Sequence, residues 1–146
     1  MVDVQTDILV LRPKEIVAAY AADPDRAPEW YVNIKSAEWR TPKPLSTGSK
    51  IAFKADFLGK ELAYVYEIKE FEDGERLVMK TADGPFPMET TYTWEAVGAD
   101  HTRMTLRNRG NPRGFSKWMA PFMSFMMRRA NRKDLKRIKE ILESRG

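Results

Sequence analysis

Residues 102–144, TRMTLRNRGNPRGFSKWMAPFMSFMMRRANRKDLKRIKEILES, contain the change of period that decides the fold. Up to Arg109, Arg103, Arg107 and Arg109 fall on one side and Met104, Leu106 and Asn108 on the other, the two-residue period of a half-buried strand. Beyond Gly110-Asn111 the apolar residues recur at steps of three and four. Asn111 can cap a helix and Pro112 suits its first position, so the spacing predicts one long helix running towards Ser144. Pro121 lies inside it, where a proline removes one backbone hydrogen bond and bends or splits a helix. The expected inward stripe is Phe115, Met119, Phe122, Met126 and Ala130.

Working towards the N-terminus, alternation continues through Phe86–Val97, Arg76–Thr81, Glu61–Phe71, Lys50–Leu58 and Ile34–Arg40. The links are short and turn-like: Gly98-Ala99-Asp100, Asp83-Gly84-Pro85, Asp73-Gly74, Gly59-Lys60 and Pro42 to Gly48. Such links force antiparallel neighbours, because parallel pairing needs a crossover of roughly a dozen residues. Ahead of this meander stand a strand over Val2–Leu11, a short amphipathic helix over Glu15–Ala22 and a second short helix over Asp23–Tyr31. A curved seven-stranded sheet has one face to cover, and only the last helix is long enough to cover it. The expected class is therefore α+β, with residues 1–146 forming one domain.

The 146 residues include no Cys, one His, 8 Met and 32% charged side chains, with a net charge of +4. Without cysteine there is no disulfide, thiolate nucleophile or cysteine-ligated metal, and His101 alone cannot build a multi-histidine site. The excess charge is local. Arg128 to Gly146 holds eight basic residues against three acidic ones, and the rest of the chain is nearly neutral. Leu135, Ile138, Ile141 and Leu142 share one helix face there, which reads as a solvated helix with its charges opposite. That segment has no aromatic on which a base would stack, so nucleic acid is not an expected partner. Contact with an anionic membrane through this basic helix is the remaining alternative. Met1 to Val10 has Asp3 and Asp7 and no cationic start, and Trp118 to Met127 is too short to span a bilayer, so a cytoplasmic location is expected.

The charges also show which side of each strand is wet. Lys50, Lys54 and Asp56 leave Ile51, Phe53, Ala55 and Phe57 inward, and Glu61, Glu67 and Lys69 leave Leu62, Tyr64, Tyr66 and Ile68. Leu77, Met79, Met88, Thr90, Tyr92 and Trp94 follow by the same test. An apolar interior into which hydroxyls and amides converge has the make-up of a small-molecule site, while complete packing of the same side chains would make it a core. Half of the methionines fall between 119 and 127, and methionine adapts to varied apolar partners.

The order of elements, together with Asp23-Pro24 to Glu29-Trp30-Tyr31, Gly48, Tyr64 to Phe71 followed by Gly74-Glu75-Arg76-Leu77, Asp83-Gly84-Pro85, Thr91-Tyr92-Thr93-Trp94-Glu95 and Asp134 to Lys139, resembles the START-like, or SRPBCC, superfamily, in particular its polyketide cyclase/dehydrase-like proteins. The resemblance spans nearly the whole chain. It implies a helix-grip fold that holds an apolar ligand between sheet and long helix. The expected ligand is a lipid, quinone or polycyclic aromatic, with Trp30, Phe53, Phe57, Tyr64, Tyr66, Met79, Met88, Thr90, Tyr92, Met104, Asn108, Phe115, Met119, Phe122 and Met126 as candidate contacts.

No catalytic residue, metal ligand or cofactor is assigned, and binding is placed ahead of catalysis. His101 sits in a turn at the sheet edge, and inward carboxylates are scarce by the pattern. In a cyclase or dehydratase acting on a similar ligand, Tyr64, Tyr66 and Tyr92 would be the proton donors, given neighbours that lower a phenol pKa of about 10. An interaction module would instead use Arg132 to Gly146. The oligomeric state is left open.

Overall fold

The computed structural model describes residues 2–57, 59–83, 87–110 and 120–145, the side chains of Phe57, Asp83 and Ala120 excepted. In chain order the elements are β1 (Val2–Val10), α1 (Lys14–Ala21), a 3-10 turn (Pro24–Arg26), α2 (Ala27–Trp30), β2 (Ile34–Trp39), β3 (Lys50–Phe57), β4 (Lys60–Glu72), β5 (Arg76–Asp83), β6 (Met88–Ala96), β7 (Thr102–Gly110) and α3 (Ala120–Ser144). The seven strands form one antiparallel sheet in the order β1-β7-β6-β5-β4-β3-β2. The meander thus runs from β2 to β7, and β1 returns beside β7 with Val2 opposite Gly110 and Val10 opposite Thr102. This is the α+β arrangement expected, and each strand boundary falls within two residues of the alternation.

Local chemistry explains the departures. The second short helix is a 3-10 turn followed by a single α turn, since Pro24 and Pro28 lack the N–H that a continuous helix would use. Asp23 caps that turn by accepting from the Asp25 N–H at 3.0 Å. Register shifts occur at Ile34/Ser36 in β2 and at Val65/Tyr66 and Ile68/Glu70 in β4, and such bulges bend a sheet. Gly74, with φ 79°, takes the left-handed position in the tight β4–β5 turn. His101 is exposed in the β6–β7 turn; β7 is an interior strand, so the residue lies at a strand end and not on a sheet edge.

The helix stripe needs a larger correction. Along α3 the buried residues are Met123, Met127, Asn131, Asp134, Leu135, Ile138 and Leu142. Phe122, expected inward, is 47% exposed, and Met126 lies in an outer depression beside Arg129 and Lys133. Ala130 is half-buried, and Phe115, Met119, Pro112 and the expected start of the helix fall outside the described residues. Nearly every position from Met119 to Met127 is apolar, so periodicity cannot choose a face there. The half of α3 with charges can: stepping back from Leu135 by four reaches Asn131, Met127 and Met123. Pro121 occupies the first turn of the described helix.

The rear of α3 is tied down by polar contacts as well. Leu11 N donates to Glu143 at 2.9 Å, Lys139 Nζ donates to Leu9 O at 2.8 Å, and Arg137 Nε donates to Glu29 O at 2.6 Å. No helix among the described residues is long and apolar enough to cross a membrane.

The stripe assignment predicts a contrast between neighbours. Met123→Ala should lose about 2–5 kcal/mol in urea unfolding because it empties a fully buried site, whereas Phe122→Ala should stay within about 0.5 kcal/mol of wild type. Equal losses would contradict this phase of α3.

Candidate ligand-binding cavity

The interior divides into three apolar clusters. The main one packs α1 and the rear of α3 on the sheet through Val17, Trp30, Trp94, Leu106, Ile138 and Leu142. A second joins Val2, Val4, Tyr64 and Met88 to Met123 and Met127 of α3, and a third joins Ala27 to Ile51 and Phe53. Tyr66 is packed against all three. Where they converge, between the sheet and the first half of α3, the packing leaves a cavity of about 120 Å³.

Strand alternation supplies most of its wall: Phe53 from β3, Tyr64 and Tyr66 from β4, Met79 from β5, Met88, Thr90 and Tyr92 from β6, and Asn108 from β7. These eight of the expected contacts are brought together. Trp30 and Met104 are not among them; both are fully buried in the main core, Trp30 with its ring 5.0 Å from Tyr31 and 5.7 Å from Tyr92. Phe122 and Met126 face away, because the phase of α3 turns Met123 and Met127 inward in their place. Phe57, Phe115 and Met119 lie outside the described side chains.

The expected contacts omit Tyr31, Leu62, Met127 and Asn131, which also line the cavity, and Asp134 one turn further along α3; of these, alternation places only Leu62 inward. Met127, Asn131 and Asp134 follow from the phase set by Leu135. Tyr31 carries no periodic signal, since it sits just after the single turn of α2.

A hydrogen-bonded chain crosses one side of the cavity. Thr90 and Asn108 are directly paired across β6 and β7, and Thr90 Oγ1 donates to Asn108 Oδ1 at 2.6 Å. Asn108 Nδ2 in turn donates to Tyr31 Oη at 3.3 Å. Burial pushes the Tyr66 phenol up to about 12, against the opposing effect of the Thr90 hydroxyl. It also raises Tyr31, Tyr64 and Tyr92 above the ordinary tyrosine value. The phenols are held neutral, so they can orient a ligand by hydrogen bonding while being poor proton donors near neutral pH. Asn108 pulls Tyr31 down and Thr90 pulls Tyr66 down, but neither hydrogen bond offsets the effect of burial.

Asp134 is the buried carboxyl that strand patterning could not reveal. Its Oδ1 accepts from the Val32 N–H at 2.8 Å, and its Oδ2 is buried without a partner among the described residues, as is Asn131 Nδ2. Burial raises its pKa from 3.8 to about 7, against the lowering effect of the Val32 N–H. No group of three His, Asp or Glu among the described residues is placed to hold a metal ion.

A raised carboxyl binds its proton more tightly in the folded than in the unfolded chain. Its contribution to stability therefore falls as pH rises from the ordinary value to about 7, by roughly 4 kcal/mol at most. Asp134→Asn keeps an acceptor for Val32 and cannot ionise. Its stability relative to wild type, followed by thermal unfolding, should improve between about pH 4 and pH 8. A difference that is constant with pH would contradict the burial of an ionisable Asp134.

Comparison with known proteins places this geometry. A search of curated proteins finds no match. A protein from Thermus thermophilus superposes with a TM-score of 0.85 at 19% identity, over 99% of both chains. A START superfamily protein from Mycobacterium smegmatis gives 0.83 at 13% identity, also over 99% of both chains. An aromatase/cyclase from a Streptomyces species gives 0.81 at 13% identity, over 98% of this chain and 94% of its own. At these identities the likeness shows the fold, the helix-grip arrangement. Residues 1–143 match the sequence profile described as "Polyketide cyclase / dehydrase and lipid transport", and the chain belongs to that family.

Proposed function

We propose that this protein binds a small hydrophobic ligand in the cavity between its sheet and the first half of α3. The observation that carries this reading is the gap where three apolar clusters fail to close, bordered by Phe53, Met79, Met88 and Met127 and furnished with the Thr90–Asn108–Tyr31 chain. Apolar walls give affinity in proportion to the area removed from water, and a few fixed polar groups set orientation. The family description, which names lipid transport beside cyclase and dehydrase activity, supports the same reading.

Size narrows the ligand. An apolar cavity of about 150 Å³ holds one benzene ring. The 120 Å³ of this cavity takes a single ring or a short stretch of alkyl chain. Asn33, Asp56 and Ala130 border both this cavity and the outer depression beside Val32 and Met126, so a lipid, quinone or polycyclic aromatic would pass its remainder out across Ala130.

A second reading, an enzyme of the cyclase or dehydratase type on a similar ligand, is favoured by one observation. Asp134, titrating near neutrality, stands close enough to Tyr31 and Tyr92 to raise their phenols. A group with that pKa suits proton transfer at neutral pH. On this reading Asp134→Asn removes turnover and leaves binding, while on the binding reading no turnover exists to remove.

Fluorescence of a bound fatty-acid probe tests the main proposal. Ala130→Phe, at a half-buried position on the rim, should weaken uptake at least about tenfold with the helical and strand content retained. Unchanged uptake in that variant, or no uptake by the wild type, would overturn it.

A further inference from the structure

The basic charge of α3 is used in two different ways along its length. Towards the C-terminus the cations are engaged within the molecule: Arg137 on Glu29 O, Lys139 on Leu9 O and Glu143, and Arg145 on Glu29 and over the Tyr20 ring at 5.3 Å. Further forward, Arg128, Arg129, Arg132, Lys133 and Lys136 make no ion pair or hydrogen bond among the described residues. Beside them stand Phe122 and Phe125, 47% and 61% exposed. Phe125 shares one surface depression with all five cations.

This face is continuous with the mouth of the cavity. Arg129 and Lys133 belong both to that depression and to the neighbouring one, which holds Met126 and the exposed Val32 and reaches the cavity rim at Asn33, Asp56 and Ala130. Exposed rings, unpaired cations and an opening to an apolar interior therefore occupy one side of the molecule. Phenylalanine in water is unfavourable, and unpaired cations seek anions, so the complementary surface is both apolar and negatively charged.

We propose that the Phe122–Lys136 face of α3 docks on an anionic lipid bilayer, seating the cavity mouth against the membrane. The choice of a bilayer over an acidic polymer rests on the proposed binding of a hydrophobic ligand. Each methylene of such a ligand that must pass through water costs roughly fourfold in partitioning, and a mouth pressed on lipid avoids that passage. Phosphate headgroups meet the five cations while Phe122 and Phe125 enter the acyl boundary. Removing Arg132 to Gly146 would be an uninformative probe, because Leu135, Ile138 and Leu142 in that segment are core residues.

Co-sedimentation of the full chain with vesicles provides the test, using phosphatidylcholine with and without phosphatidylglycerol. Binding is expected to the anionic vesicles and to weaken with salt. The triple variant Arg128→Gln, Arg132→Gln, Lys136→Gln should lose about a hundredfold in affinity, at roughly fivefold per cation. Phe125→Ala should lose several-fold in a manner that salt does not abolish, and Lys54→Gln, on the outer face of β3, should change affinity less than about twofold. Equal binding to neutral and anionic vesicles, a triple variant as tight as wild type, or binding to a single-stranded oligonucleotide with none to vesicles would each overturn the proposal. Uptake of the fatty-acid probe, measured without vesicles, separates the two readings. Wild type that takes up probe but ignores anionic vesicles removes the docking surface alone, and wild type that sediments but takes up no probe removes the cavity reading alone.

Discussion

The phase of α3 against the sheet is the constraint on which the other features depend. Leu135, Ile138 and Leu142 are almost completely buried and sit over the same core as Trp30, Trp94 and Leu106. Burying them fixes the rotation of the whole 25-residue helix. Once that rotation is set, Met123 and Met127 must point at the sheet, Asn131 and Asp134 must be buried, and Phe122 and Phe125 must face solvent. A rotation that hid the phenylalanines would expose the rear stripe, at about 1.5–3 kcal/mol per large aliphatic side chain.

The same constraint creates both the cavity and its electrostatics. The sheet bends at the bulges in β2 and β4, and the front of α3 meets it through Met123 and Met127 against Val2, Val4, Tyr64 and Met88, beside the cavity that Met127 also lines. Methionine and tyrosine partly fill the space, and their clusters meet around Tyr66 without closing. Polar side chains would be costly in such an interior unless paired. Thr90, Asn108 and Tyr31 satisfy one another, whereas Asp134 and Asn131 each keep a buried atom without a partner among the described residues. Asp134 answers the cost by holding its proton to about pH 7.

Legibility in the sequence follows the strength of the periodic signal. In β6, Glu89 and Glu95 against Met88, Thr90, Tyr92 and Trp94 leave one assignment, and all four inward residues are buried. The eight expected contacts that line the cavity all lie on strands and are readable for that reason. On α3 the signal is uneven. Charges mark the face from Arg128 onward, but the run PFMSFMM has no strong polar contrast, so a stripe through Phe122 and Met126 satisfies the spacing as well as one through Met123 and Met127. Asp134 escapes because its neighbours Lys133 and Lys136 make it look like part of the solvated face. Trp30 reads as a contact and is core, since spacing tells inward from outward and says nothing of depth.

The central claim is that the space enclosed by Tyr66, Met88 and Met127 is a ligand site and not a packing defect, and methionine methyl NMR addresses it directly. Titrating the methyl-labelled chain with 1-naphthol should shift the signals of Met79, Met88 and Met127, which line the cavity, and leave Met104, deep in the main core, unmoved. Shifts confined to Met126 on the outer surface, with the three cavity methyls unchanged at saturation, would contradict that claim.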